Sequence, residues 1–93
     1  MKYFIYRITC KTIPTDFYIG STINASRRKS HHKKNCRNKR GKLYWNKLYV
    51  FVRANGDWEN FTFEVIETGE VENKDDIRRK EQEYIDIINK RLQ

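Results

Sequence analysis

Residues 3–21, YFIYRITCKTIPTDFYIGS, decide the fold. Tyr3 to Thr9 alternates, with Phe4, Tyr6 and Ile8 on one side and Tyr3, Ile5 and Arg7 on the other. The stretch is rich in the aromatic and β-branched residues that suit a pleated surface, so it is predicted as a strand. Ile13-Pro14-Thr15-Asp16 has turn chemistry, and Phe17-Tyr18-Ile19-Gly20-Ser21 follows as a second short strand. The two form a β-hairpin with a loop longer than two residues. Gly20, at the end of that strand, reads either as a turn residue or as a point of close backbone approach.

Outward from the hairpin, Asn24 is suited to cap a polar, basic helix from Ala25 to about Asn35. Leu43 to Ala54 is a second helix candidate, with Tyr44, Leu48, Phe51 and Val52 near one face, although Tyr49 to Val52 also fits a strand. Asn55-Gly56-Asp57 signals a turn, and Asn60 to Glu67 alternates as a third strand, with Phe61, Phe63 and Val65 opposite Thr62, Glu64 and Ile66. Asn73 then caps a last helix, with Asp75 and Asp76 in its first turn and Lys90 and Arg91 near its end, as the helix dipole favours. The order β-β-α-α-β-α predicts a small α+β domain, a three-stranded antiparallel sheet flanked by helices.

The chain has 93 residues, enough for one domain with a compact core. No run of apolar residues is long enough to cross a membrane, the longest in the middle being Leu48 to Val52, and no signal segment follows Met1. A soluble, intracellular protein is expected. Cys10 and Cys36 lack ligand-pair spacing and read as ordinary reduced thiols.

The net charge of +8 points to a polyanionic partner, with nucleic acid foremost. Its distribution is uneven. Between Asp16 and Asp57 there is no acid, while Arg27, Arg28, Lys29, Lys33, Lys34, Arg37, Lys39, Arg40, Lys42, Lys47 and Arg53 are all basic. Such a block suits a phosphate backbone as well as a merely solvated face, and the interleaved His31, His32, Tyr44 and Trp45 favour the former.

On the last helix Ile77, Glu81, Tyr84, Ile85 and Ile88 share one face, which puts a carboxylate inside an apolar stripe. A Glu there needs a compensating partner or must reach water at the edge of the stripe. Arg28 and His32, four apart, are neighbours on one helix face, an Arg fork suiting phosphate and a His suiting proton transfer. Taken alone they also read as two solvated basic residues, and Tyr6 and Tyr18 as packing residues of the hairpin.

Read together, these residues carry a resemblance. Phe4-Ile5-Tyr6, eleven intervening residues, Tyr18-Ile19-Gly20-Ser21-Thr22, then Arg28 ten residues after Tyr18, His32 four further on, and Glu81-Gln82-Glu83-Tyr84-Ile85 resemble the GIY-YIG nuclease family over nearly the whole chain. The resemblance implies that Tyr6 and Tyr18 line an active site, one of them acting as or assisting the general base for an attacking water. It implies that Arg28 holds the scissile phosphate, that His32 rather than His31 assists proton transfer, and that Glu81 binds a divalent metal, magnesium first and manganese second. Phosphodiester hydrolysis requires such parts: a deprotonated nucleophile, neutralised phosphate charge and a hard cation with open water positions.

Two departures stand out. Phe4 occupies the place of the first Gly in the family name, and the chain ends at Gln93 where many members carry an Asn that supports the metal site. Asn89 lies eight residues after Glu81, and the resemblance does not assign it that role.

A metal-dependent DNA endonuclease of homing or repair type follows as the expected function. Duplex DNA is the expected partner, gripped by Arg27, Lys29, Lys33, Lys34, Arg37, Lys39, Arg40 and Lys42. Residues 1–93 would be one catalytic domain, either free-standing or part of a longer chain whose other region supplies specificity. The rival is a non-catalytic basic module that binds nucleic acid through phosphate contacts on the same fold. A basic protein of an RNA assembly is a third reading, one that would bind structured RNA more tightly than duplex DNA.

Overall fold

A computed structural model of the protein describes residues 1–15 and 17–87. The elements follow the expected order: β1 (Lys2–Cys10), β2 (Phe17–Thr22), α1 (Ala25–Arg37), α2 (Lys47–Ala54), β3 (Phe61–Glu70) and α3 (Lys74–Ile87). A short 3-10 turn at Trp58–Asn60 leads into β3. The sheet is antiparallel with strand order β2-β1-β3. As the central strand β1 is covered on both faces, which is why alternate residues on both sides of it are apolar.

The two faces hold two separate cores. Tyr3 and Ile5 of β1 pack with Ile19 of β2 and Ile77 of α3, joined by the half-buried Ile66, Tyr84 and Ile85. On the opposite face Tyr6, Ile8 and Cys10 pack with Cys36 of α1, Leu48, Tyr49 and Val52 of α2, and with Trp58 and Phe61. Cys10 and Cys36 are both buried there as free thiols.

The pairing of β1 with β3 carries a bulge. Ile5 faces Glu67, yet its neighbour Tyr6 faces Val65, so Ile66 is an extra residue on β3. An extra residue reverses the alternation beyond it. Phe61 and Phe63 therefore point toward the Tyr6 face, whereas Glu67 is turned to the α3 face. There its carboxylate accepts from Tyr3 Oη at 2.6 Å and from Tyr84 Oη at 2.8 Å. These bonds hold the Glu67 pKa below the usual carboxylate range, and the bond to that carboxylate in turn pushes Tyr3 up to about 12. The bulge thus anchors α3 one turn beyond Glu81.

Helix ends fall where side chains can satisfy the free backbone N–H groups. Asn24 Oδ1 accepts from Arg27 N at 3.1 Å and Asn73 Oδ1 from Asp76 N at 3.1 Å, both at the expected caps. The helix expected from Leu43 starts instead at Lys47, because Asn46 Oδ1 accepts from Leu48 N at 3.2 Å while Tyr44 and Asn46 make turn bonds to Gly41 and Leu43. Tyr49 to Val52 is helical, which settles the strand alternative. Two extensions also differ from expectation: α1 continues to Arg37, and β3 to Glu70 because it pairs along the whole of β1. Ile88, Asn89, Lys90 and Arg91, which the sequence placed on the last helix, lie outside the described residues.

Candidate active site

Tyr6 and Gly20 are direct partners across β1 and β2. A Cβ on Gly20 would stand 2.3 Å from Tyr6 Oη and 2.4 Å from its Cζ, far inside contact distance. Gly20 is therefore not a turn residue at the end of the hairpin. It lies within β2, where the missing side chain lets the phenol ring cross the neighbouring strand. The Tyr6 ring stacks on Phe63, with centroids 4.5 Å apart, and sits 6.3 Å from the ring of Tyr18.

Beneath these rings lies His32, only 4% exposed although α1 is otherwise almost wholly polar. Its Nε2 is 2.7 Å from Tyr6 Oη and its Nδ1 is 2.7 Å from Tyr49 Oη. Asn35 Nδ2 donates to Tyr49 Oη at 3.2 Å. Every atom is satisfied if Tyr49 donates to Nδ1 of His32, Nε2–H donates to Tyr6, and Tyr6 directs its own proton toward Tyr18. The tautomer is assigned from these partners. A donor chain then runs Asn35, Tyr49, His32, Tyr6 and ends at Tyr18, whose phenolate the Tyr6 hydroxyl favours.

Burial dominates the electrostatics. It pushes the pKa values of Tyr6, Tyr18 and Tyr49 up, and together with the nearby Arg28 it lowers His32 to about 4. His32 is consequently a neutral imidazole at pH 7. Tyr6 is 2% exposed whereas Tyr18 is half-buried, so Tyr18 is the tyrosine with access to solvent.

Arg28 projects from α1 one turn before His32. It is exposed, lines a groove with Thr22, Asn24, Arg27 and His31, and has no side-chain hydrogen bond or ion pair among the described residues. Its charge acts on Tyr6 and Tyr18, opposing their raised pKa values. Glu81 reaches the same strand from the other face, where it accepts from Ser21 Oγ at 2.8 Å. That contact supplies the partner that the apolar stripe required, and among the described residues Glu81 has no Arg or Lys ion pair. Tyr18 lies on one face of β2 and the Ser21–Glu81 pair on the other, and because β2 is an edge strand no further strand lies beyond it. Glu81 acts on Tyr18, raising its pKa.

No three His, Cys, Asp or Glu side chains converge among the described residues. A hard ion such as magnesium does not need such a cage, since it keeps several waters and uses one or two carboxylates with substrate phosphates. Glu81, oriented by a hydroxyl donor and next to the Arg28 groove, fits that kind of site.

His31 is exposed and stands outside the tyrosine network, lining the Arg28 groove instead. The basic residues Arg27, Lys29, Lys33, Lys34, Lys39, Arg40 and Lys42 are all exposed, and Lys33 and Lys34 line a shallow groove on α1 with Ser30 and Asn38. Two members of the block are engaged. Arg37 pairs with Glu59, and Arg53 donates to the carbonyls of Cys36 at 3.0 Å and Tyr44 at 2.6 Å. Sequence reasoning missed Asn35, Tyr49 and the role of Ser21. For Tyr49 no signal was available, since its place beside Leu48 and Val52 on α2 is that of any core aromatic.

The family model of the GIY-YIG catalytic domain matches residues 2–93. The chain belongs to the GIY-YIG family. No curated protein and no solved structure matches it significantly. The fold explains the two tripeptides that name the GIY-YIG domain. Ile5 and Ile19 at their centres are fully buried against α3, while Tyr6 and Tyr18 turn to the other face and meet His32, and Gly20 on that face makes room for the Tyr6 ring. Phe4, standing in place of the first Gly, pairs with Thr22 and is half-buried, with Lys2 Nζ over its ring at 5.5 Å.

Proposed function

We propose that this GIY-YIG domain is a metal-dependent DNA endonuclease that hydrolyses phosphodiester bonds. The observation that carries the reading is the buried donor chain that runs through His32 and Tyr6 toward the half-buried Tyr18, on which the charges of Arg28 and Glu81 both act. Arg28, exposed and unpaired among the described residues, binds the scissile phosphate and stabilises the charge that builds on it. Tyr18, the solvent-reaching end of the chain, takes the proton of the attacking water. Tyr6 and His32 donate in line toward the Tyr18 oxygen and favour the phenolate that accepts this proton, so that the charge passes from Tyr18 to the attacking hydroxide. Glu81, held by Ser21, is the metal ligand. When bound there, magnesium or manganese supplies positive charge that offsets Glu81 beside Tyr18 and stabilises the phosphate and the leaving 3′ oxygen.

The exposed basic residues of α1 and the following loop hold the duplex through its phosphates, so affinity falls as salt rises. Residues 1–93 supply the catalysis, and sequence choice of a homing or repair type would come from a further DNA-binding region.

Plasmid nicking with and without magnesium, run beside Glu81→Ala, tests the reading. Magnesium-dependent nicking by the wild type and none by the variant is expected. Identical traces from both would mean contamination and end the proposal. DNA binding that ignores magnesium and Glu81→Gln, without cutting, would instead favour a non-catalytic module.

A further inference from the structure

Trp45 is the most exposed large aromatic among the described residues, at 76%. It is also held in place. Its ring meets Tyr44 edge to face, with centroids 5.0 Å apart, and the Arg53 guanidinium lies 3.6 Å from the Tyr44 centroid and 5.7 Å from that of Trp45. Arg53 in turn is fixed by its bonds to the Tyr44 and Cys36 carbonyls. Backbone bonds from Gly41 to Asn38, Tyr44 to Gly41 and Asn46 to Leu43 complete a succession of tight turns. An indole that escaped burial merely for want of space would not need a cation stacked on its neighbour to fix the loop that carries it.

The surroundings identify the ligand chemistry. Lys39, Arg40, Lys42 and Lys47 flank Trp45, all exposed and without ion pairs among the described residues, and no acid occurs between Asp16 and Asp57. A flat π-surface whose charged neighbours in the sequence are all cationic suits a polyanion that carries aromatic rings, which describes a nucleic-acid strand. In an intact duplex both faces of each base are covered by neighbours, so an indole standing out from a loop can stack only on a base whose face is open.

Position places Trp45 away from Arg28 along the same basic block. Arg28 lies in the first turn of α1, whereas the Trp45 loop follows the end of α1 and is tied back to Cys36 through Arg53.

We propose that Trp45 is a stacking platform for an unpaired base of a DNA strand bound along the basic block. The proposal rests on the reading of the basic block as a DNA-binding face and is independent of catalysis. Trp58, the other tryptophan, is 7% exposed within the core, so a change of tryptophan emission on adding DNA reports Trp45.

The test is to titrate the full chain, with chelator present so that nothing is cut, against a short single-stranded DNA, the matching duplex and the matching single-stranded RNA. Single-stranded DNA should quench the emission, and Trp45→Ala, whose affinity is read against the wild type by the anisotropy of an end-labelled strand, should weaken that binding about 5- to 100-fold while changing duplex binding less than about twofold. Trp45→Phe should recover part of the loss. Because the indole is exposed, the variants should fold, with melting temperatures like the wild type. Unquenched single-strand binding, an equal loss for duplex, or a preference for RNA would each overturn the platform. If quenching occurs but magnesium produces no nicking, the catalytic reading fails and this one stands; nicking without quenching would sink the platform and leave catalysis standing.

Discussion

The hydroxyl of Tyr6 and Nε2 of His32 lie 2.7 Å apart inside the protein, although 26 residues separate them in the chain. On the far side of the imidazole Tyr49 holds Nδ1 at the same distance, and Asn35 donates to Tyr49. This arrangement makes the orientation of the whole chain depend on a residue of α2 that touches neither Tyr6 nor Tyr18 through a hydrogen bond. Nitrogen NMR should find His32 with its proton on Nε2. In Tyr49→Phe that preference should weaken, stability should fall by about 1–3 kcal/mol from the unpaired imidazole and amide, and nicking should slow about tenfold with little change in KM. A variant that cuts like the wild type would remove Tyr49 from the mechanism.

His32 should also make stability depend on pH. Its folded pKa, about 4, lies below the ordinary 6.5, so between those values the unfolded chain binds the extra proton. Stability is complete above about pH 6.5 and falls as the pH drops toward 4, by about 3 kcal/mol at most for this group. Urea unfolding at pH 7 and at several lower values should show a steeper loss for the wild type than for His32→Gln, which cannot charge. Parallel curves would contradict the assignment of a buried neutral imidazole.

Gly20→Ala should damage the site more than the fold. The new methyl would collide with the Tyr6 phenol, which cannot swing aside without leaving both Phe63 and His32. A loss of about 1–3 kcal/mol in stability and of most of the nicking activity is expected, checked by thermal melts and plasmid assays. Unchanged melting and cutting would show that the strands can part at no cost.

Ser21→Ala should leave the fold intact, because its hydroxyl bonds a side chain that is only partly buried. The effect should appear as about 10- to 100-fold weaker magnesium activation, read as the concentration needed for half-maximal nicking. Arg28→Ala should differ, lowering the cutting rate at saturating magnesium without shifting that concentration. If both variants shift the same parameter, the separate duties given to Glu81 and Arg28 are wrong.

Much of the framework was legible because its signals are short-range. The alternation in Tyr3 to Thr9 and Phe17 to Ser21, and the caps at Asn24 and Asn73, act within a few residues. The start of α2 was misplaced, since hydrophobic spacing continues back to Leu43 while the cap that ends the turn is a single side chain at Asn46. The alternation of β3 was read correctly as far as Ile66 and failed at Glu67, because a bulge depends on the partner strand and leaves no mark in the period. Arg37 and Arg53 looked like free charges of the basic block, yet one meets Glu59 and the other ties a loop to α1.

By itself, then, the sequence determined the order of elements, the family and the acid-free block that follows the hairpin, all of which depend on residue type and local spacing. Only the tertiary structure decided which of those residues share a site. Gly20 had to be placed opposite Tyr6, α3 had to be turned so that Glu81 met Ser21, and α2 had to bring Tyr49 under His32. Each is a contact between different elements, fixed by strand register and by how the two cores pack on opposite faces of one sheet, and no periodicity along the sequence encodes that.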